Sequence, residues 1–165
     1  MTMRDVARMA GLSKATVSRT IHAPHLVRPE TRDRVMKIIE KNGYVYDAVA
    51  GDLSRKQTSV LGLVIPTIRS SIFAMSTIGI QEAAQAEGFA VLIANSGFDP
   101  VAEAGMIRLL QQRRVAGVIL TGLEPALKPV LQEVTNRGVS CVVTWQSVAE
   151  ENVSSVGFDN FKAAY

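Results

Sequence analysis

Between Ser13 and Arg19 the sequence places hydroxyl groups, a small residue and two basic side chains within two helical turns. If a helix begins after Ser13, then Lys14, Ala15, Ser18 and Arg19 lie on its outward side. Basic and hydroxyl groups can donate hydrogen bonds to base edges and phosphates, and short side chains let a helix enter a major groove. The segment therefore predicts recognition of DNA without covalent chemistry.

Two short helices joined by a tight turn are needed to hold this segment in place, and their signals are present. Thr2, with Asp5 three residues later, predicts a capped helix start. Gly11 predicts the end of that helix, and Ser13 can cap the next one. A helix, a short turn containing glycine and a second capped helix make a helix-turn-helix.

A third helix is expected to begin near Pro29, because proline is tolerated in a first turn, and to end before Asn42-Gly43. Helices this short must pack together to be stable. The side chains expected inside the bundle are Val6, Ala7, Ala10, Ala15, Val17, Ile21, Val35, Ile38 and Ile39.

After residue 57 the pattern changes to apolar runs that alternate with helical segments. The runs expected to form strands are Val60–Ile65, Phe89–Ala94, Val118–Thr121, Val139–Thr144 and Val153–Phe158. The helices expected between them are Phe73–Glu87, Pro100–Arg113 and Pro125–Arg137. Such alternation predicts parallel βαβ units. The predicted fold class is an all-α helix-turn-helix headpiece followed by an α/β parallel-sheet domain.

The charge is distributed unevenly along the chain. Residues 1–56 contain eleven lysines and arginines and six acidic residues, whereas the remainder is slightly acidic. A basic N-terminal block indicates a nucleic-acid-binding module joined to another domain. No apolar run approaches the roughly 18 residues of a membrane span, and the N-terminus lacks the apolar core of a secretory signal. We therefore expect a cytoplasmic protein with no membrane partner.

Several classes of chemistry lack their usual residues. The single cysteine, Cys141, allows no disulfide within the chain and is expected in a buried strand. The sequence shows no Cys/His cluster for a metal, no glycine-rich phosphate loop and no Ser/His/Asp arrangement. We therefore expect neither a cofactor nor an enzyme.

The string from Asp5 to Arg19, D-V-A-R-M-A-G-L-S-K-A-T-V-S-R, resembles the headpiece signature of the LacI family of transcription repressors. The third helix and the β–α segment are similar to the same family, whose sensor domain is periplasmic-binding-protein-like. The resemblance implies a homodimer that binds palindromic double-stranded operator DNA. It also implies that a small-molecule effector controls operator affinity.

The resemblance assigns DNA contacts to the second helix and its surroundings. Lys14 and Ala15 lie where the family varies operator preference, and Arg19 lies at a base-contacting position. The expected DNA-binding residues are Ser13, Lys14, Ala15, Thr16, Ser18, Arg19, His22, Thr31, Ala50 and Leu53. Thr16 and Ser18 could instead satisfy only their own helix, and His22 could simply be solvated.

The hinge departs from the family pattern. In the family a leucine wedges into the minor groove at the operator centre, which unstacks a base step, and Leu53 matches it. Leu53 could instead pack between domains. Asp47, Gly51 and Asp52 are unusual here. Glycine lowers helix propensity by about 1 kcal/mol relative to alanine, and the two acids would face phosphates.

Ligands of open parallel sheets bind beyond the carboxyl ends of the strands. By that rule and by the resemblance, the expected effector-binding residues are Ser70, Ser71, Phe73, Asn95 and Asp159. Phe73 could stack on a ligand or face inward, and Asp159 could cap a helix. The run Phe158-Asp159-Asn160-Phe161 resembles gluconate-type repressors, which implies a sugar or sugar acid.

The predicted organisation is a DNA-binding headpiece at residues 1–46, a hinge at 47–57 and an incomplete first lobe of the sensor domain at 58–165. Residues 161–165 have the pattern of a helix start, and the resemblance implies about as many residues again, so a truncated chain is expected. The alternative function is a fragment that binds DNA and dimerises without responding to an effector.

Overall fold

The computed structural model describes residues 1–46, 51 and 58–158. The chain divides into two compact units, Met1–Gly51 and Asp52–Tyr165. Within the described ranges no helix is both long enough and apolar enough to cross a membrane. We describe each unit by itself.

The first unit is built from three α-helices over its described residues. They are α1 (Met3–Ala10), α2 (Lys14–His22) and α3 (Pro29–Lys41), with a 3-10 turn at Pro24–Leu26 between the last two. The predicted helix signals are confirmed. Thr2 and Asp5 form a capping box, Gly11 ends α1 with φ of +63°, and the Ser13 side chain caps α2.

The core of this small bundle is formed by Val6, Val17 and Val35, one from each helix, all fully buried. Each buried valine contributes about 1.5–3 kcal/mol relative to an exposed one. The prediction that Ala15 lies inside was wrong, because its side of α2 faces outward. Thr20 is buried instead, and its hydroxyl donates to the Thr16 carbonyl at 2.9 Å, which satisfies the polar group.

The second unit contains a parallel sheet with helices between its strands. Its strands are β1 (Val60–Ile65), β2 (Ala90–Asn95), β3 (Gly117–Thr121), β4 (Ser140–Thr144) and β5 (Val153–Val156). Its α-helices are α4 (Ser71–Ala86), α5 (Pro100–Gln112) and α6 (Lys128–Asn136). The strand order is β2-β1-β3-β4-β5, and every pair is parallel, which confirms the predicted βαβ arrangement.

Most of the predicted strands and helices differ from the observed ones by one or two residues at an end, and one predicted helix is divided. The helix expected over Pro125–Arg137 is divided into a 3-10 turn, Pro125–Leu127, and α6. Pro129 lacks the N–H that would bond to the Pro125 carbonyl, so one continuous α-helix cannot form there. The last strand ends at Val156 rather than at Phe158.

The main core lies between one face of the sheet and helices α5 and α6. Val64, Leu120 and Val143 from the sheet join a buried cluster with Ile107 and Leu110 of α5. Gly62 permits this close approach, because a Cβ there would lie 2.7 Å from a methyl carbon of Leu110. The strand residues of this core, such as Val118 with Leu120 and Cys141 with Val143, lie at alternate positions, as a pleated sheet requires.

Cys141 lies in β4 within this core, as predicted, and we expect it to be chemically inert in the folded chain. Burial raises the pKa of its thiol to about 11. The thiolate fraction at pH 8 should then be about a hundredfold lower than for an exposed cysteine. Labelling with a disulfide reagent should be slow in buffer and fast in denaturant. Equal labelling rates in the two conditions would contradict this placement.

Candidate functional site

Helix α1, which leads into the turn before α2, is capped at both ends by hydrogen bonds. The Thr2 hydroxyl accepts from the Asp5 N–H, and the Asp5 carboxylate accepts from the Thr2 N–H at 2.9 Å. These bonds lower the pKa of Asp5, with the backbone bond from Thr2 as the largest cause. At the far end Gly11 donates to the carbonyls of Ala7 and Arg8. Helix α1 therefore has defined ends, and the turn into α2 begins at Gly11.

Helix α2 presents the predicted DNA-reading side chains outward. Lys14, Ala15 and Arg19 are exposed, and Ser18 is half-buried on the same helix. Val17 and Thr20 occupy the inner side. Lys14 and Arg19 place two positive charges on this exposed side, and the small Ala15 allows the helix to approach base pairs closely. This side of α2 therefore has the shape and chemistry to enter a major groove.

Ser13 and Thr16 interact with each other at the start of α2. The Ser13 hydroxyl accepts from the Thr16 N–H at 3.1 Å, and the two hydroxyl oxygens lie 2.9 Å apart. The alternative in which Thr16 serves its own helix therefore has a structural basis. Both hydroxyls have lone pairs or protons left, so a contact with a phosphate stays a prediction for each.

Two variants of Ser13, to alanine and to aspartate, should separate its role as a helix cap from a contact with a phosphate. Loss of the cap should lower the free energy of unfolding by about 1 kcal/mol, measured by thermal or urea denaturation. Ser13→Asp is the matched control, because aspartate caps a helix as well as serine but adds a negative charge. That variant should keep its stability and bind DNA more weakly. An alanine variant as stable as the parent would contradict the capping role.

The other predicted DNA contacts are spread around α2. His22 lies exposed in its last turn and packs edge-on against the Tyr46 ring, with centroids 4.5 Å apart. Thr31 is half-buried in the first turn of α3. Gly51 has helical backbone. Of the hinge predictions, Asp47, Ala50, Asp52 and Leu53 lie outside the described residues.

Two cavities flank the sheet of the second unit. A cavity of about 740 Å³ lies at the amino ends of the strands, beside Thr58, Ala116 and Val139. A cavity of about 560 Å³ lies at the carboxyl ends, beside Pro66, Thr121 and Trp145. We take the second as the candidate ligand site despite its smaller volume, because parallel sheets bind ligands at their carboxyl ends.

Phe73 lines this cavity, and it is the only one of the predicted effector residues within the described ranges that does so. Asn95 accepts a hydrogen bond from the Ile68 N–H at 3.1 Å, so its side chain holds the loop after β1. Ser70 and Ser71 lie at the start of α4, away from the cavity lining. Asp159 lies outside the described residues. The effector roles of these four residues remain predictions.

Four aromatic rings meet at the cavity, and three of them were not among the predicted site residues. Phe73 lies 6.0 Å from Trp145 and 6.3 Å from Phe98, and Trp145 lies 6.1 Å from Phe158. All three pairs are edge-to-face, at angles between 60° and 75°. The carboxyl-end rule could have identified Trp145, because it directly follows β4.

The backbone around Trp145 and Phe158 is unusual and sets their positions. Trp145 has a φ of +73°, a conformation that residues other than glycine rarely adopt. Its N–H donates to the Val156 carbonyl at 2.9 Å. A Cβ at Gly157 would lie 2.4 Å from the Gln146 nitrogen, so only glycine fits there. This close backbone contact brings Phe158 beside Trp145.

The charged side chains that line the cavity, among the described residues, are Glu103 and Glu124. Glu103 is buried in the first turns of α5, and burial raises the pKa of its carboxyl group. A hydrogen bond with Ser96 lowers that pKa, and the nearby charge of Glu124 raises it further. The burial of Glu103 was not anticipated, because helical periodicity does not distinguish a glutamate near a cavity from a solvated one.

Comparison with known families covers both units. Residues 2–47 match the family of bacterial regulatory proteins, lacI family. Residues 58–165 match the family of periplasmic binding proteins and sugar binding domain of LacI family. The second match alone spans more than half of the chain.

Individual proteins agree with these matches. The chain is 34% identical over 165 residues to catabolite control protein A of Staphylococcus xylosus, covering 99% of this chain and 50% of that protein. A LacI-family transcriptional regulator from Silicibacter pomeroyi is 26% identical, with a TM-score of 0.77 over 99% of this chain and 49% of its own.

The lac repressor dimer bound to operator and the anti-inducer ONPF has the same fold, with a TM-score of 0.77 at 24% identity, over 96% of this chain and 48% of that one. The chain spans about half the length of the curated relatives that it matches. A helix-turn-helix headpiece followed by a parallel α/β sheet, with both family models matched in that order, leaves one conclusion: the chain belongs to the LacI family of bacterial regulatory proteins.

Proposed function

We propose that the chain is the N-terminal part of a sequence-specific transcription regulator, a repressor, that binds palindromic operator DNA. The observation that carries the proposal is the outward side of α2, where Lys14, Ala15 and Arg19 are exposed on a capped helix. Its relatives are transcription regulators, which fits a cytoplasmic protein that is not an enzyme. The proposed segments are the headpiece at 1–46, the hinge at 47–57 and the sensor lobe at 58–165.

The proposed homodimer is supported by an apolar surface on α4. Ile72, Met75 and Ile78 are 55%, 73% and 55% exposed and follow one another at a spacing of three residues. Residues at this spacing share one side of a helix. We call these three side chains the α4 apolar stripe. Exposed apolar patches of this kind mark interaction surfaces.

The proposed control is by a small-molecule effector bound at the carboxyl ends of the strands. The resemblance implies a sugar or sugar acid, and the aromatic lining of the cavity supports a ligand with a flat or apolar surface. Phe98 and Phe158 are 68% and 52% exposed, so the cavity is open to solvent where these two rings line it. The alternative is a DNA-binding and dimerising polypeptide without effector response.

Selection of bound sequences from a random double-stranded DNA pool tests the proposed function. At fixed salt concentration we expect enrichment of one inverted repeat, because two copies of α2 related by a two-fold axis read two half-sites. Recovery of unrelated sequences after several rounds would contradict sequence-specific binding. Addition of candidate sugars to the bound complex then separates the effector-controlled regulator from the unresponsive alternative.

A further inference from the structure

The cavity at the carboxyl ends of β1, β3 and β4 combines aromatic rings with negative charge. The centroid of the Phe73 ring lies 6.3 Å from that of Phe98 and 6.0 Å from that of Trp145, with interplanar angles of 60° and 75°. All three rings line the cavity, so each can contact a ligand there. Aromatic rings bind organic cations, because a cation is attracted to the negative face of a ring.

The charges that line the same cavity have one sign. Glu103 and Glu124 supply carboxylates, and none of the basic side chains in the described ranges contributes to the lining. Lys128, the nearest lysine along the chain to Glu124, forms an ion pair with Glu150 at 2.6 Å instead. An anionic ligand would therefore meet two carboxylates here without a compensating base.

We propose that this cavity takes a small organic cation, with an amino or substituted ammonium group held among Phe73, Phe98 and Trp145 and neutralised by Glu103 and Glu124. The proposal rests on the proposed effector site and narrows its ligand class. Burial disfavours the charged form of the Glu103 carboxyl group, and a bound cation would stabilise that charged form. Amino sugars and free amines share this chemistry, whereas sugar acids lack it.

Trp145 makes the proposal directly measurable. It is the single tryptophan of the chain and lines the cavity, so its fluorescence reports on a ligand bound there. The probes are choline and its uncharged isostere, in which a tert-butyl group replaces the trimethylammonium group. The two molecules have the same shape. We expect choline to bind about tenfold or more tightly, because only it gains the cation–π and carboxylate interactions.

Neutralising the carboxylates should remove this preference. In the variant Glu103→Gln with Glu124→Gln, choline affinity should fall about tenfold, to that of the isostere, and isostere affinity should not change. The matched control is Glu87→Gln with Glu151→Gln, which removes the same charge from exposed positions outside the cavity. That control should bind both probes as the parent does. Circular dichroism establishes that each variant is folded.

Equal affinity for the two probes, or no saturable response to either, would overturn the proposal. A second arm uses glucosamine, glucose and gluconate on the same fluorescence signal, with choline as the reference cation that lacks a sugar. Stronger binding of gluconate than of glucosamine would also overturn it. Failure of DNA selection leaves these titrations unaffected, because they contain no DNA, so failure of the proposed function and failure of the cation site are distinguishable.

Discussion

The variant Arg19→Ala should lose its preference for the selected operator over random DNA while its helices stay folded. Arg19 is exposed in the last turn of α2, and no ion pair within the described ranges involves it. A bidentate arginine–guanine contact provides about 1–3 kcal/mol of discrimination in each half-site. Because a dimer reads two half-sites, we expect the dissociation constant for random DNA divided by that for the operator to fall by about a hundredfold or more.

The matched control is Arg34→Ala, which removes the same charge from an exposed position on α3. It should weaken binding to both DNAs similarly and leave their ratio unchanged, because a general electrostatic contribution carries no sequence information. Both variants must be compared at the same salt concentration, since phosphate contacts dominate affinity. Undiminished discrimination by Arg19→Ala would refute the assignment of α2 as the reading helix.

The variant Met75→Glu should convert the proposed dimer into monomers. Met75 is the most exposed member of the α4 apolar stripe, at 73%. In a symmetric interface the substitution introduces one uncompensated carboxylate from each protomer, which costs several kcal/mol when buried. We expect the dimer dissociation constant to rise by about a hundredfold or more, measured by analytical ultracentrifugation.

Operator affinity should fall in parallel, because a monomer binds only one half-site. Gln132→Glu provides the control: it adds the same charge to an exposed position on α6, a different helix from the one that carries the stripe. That variant should sediment as the parent does. A Met75→Glu variant that keeps the parent's association state would exclude the α4 apolar stripe as the dimer surface.

The helices of the headpiece were predictable because their signals are local. Thr2 with Asp5, Gly11 and Ser13 set helix ends through bonds that span only three or four residues. The inner side of α2 was predicted less well. Ala15 is apolar, yet it is exposed, and Thr20 is buried because its hydroxyl can bond within its own helix. Local polarity therefore misjudged which side the neighbouring helices cover.

The sequence predicted where the candidate ligand site lies, but not which residues form it. The sequence indicated the carboxyl ends of the strands and, with them, Phe73. It did not indicate that Phe98 meets Phe73 or that Phe158 meets Trp145, because these rings come from segments that are distant in sequence and are joined only through the sheet. Nor did it show that Asn95 holds the loop after β1.

The start of α2, the helix that we propose reads DNA, was determined by the sequence itself, since the Ser13 cap depends only on neighbours along the chain. The same holds for the alternation of strands and helices and for the burial of Cys141. Only the tertiary structure decided the strand order, the exposed α4 apolar stripe and the pairing of Glu103 with Glu124 beside an aromatic cavity. Those features depend on residues distant in sequence, whose proximity is set by chain packing rather than by local propensity.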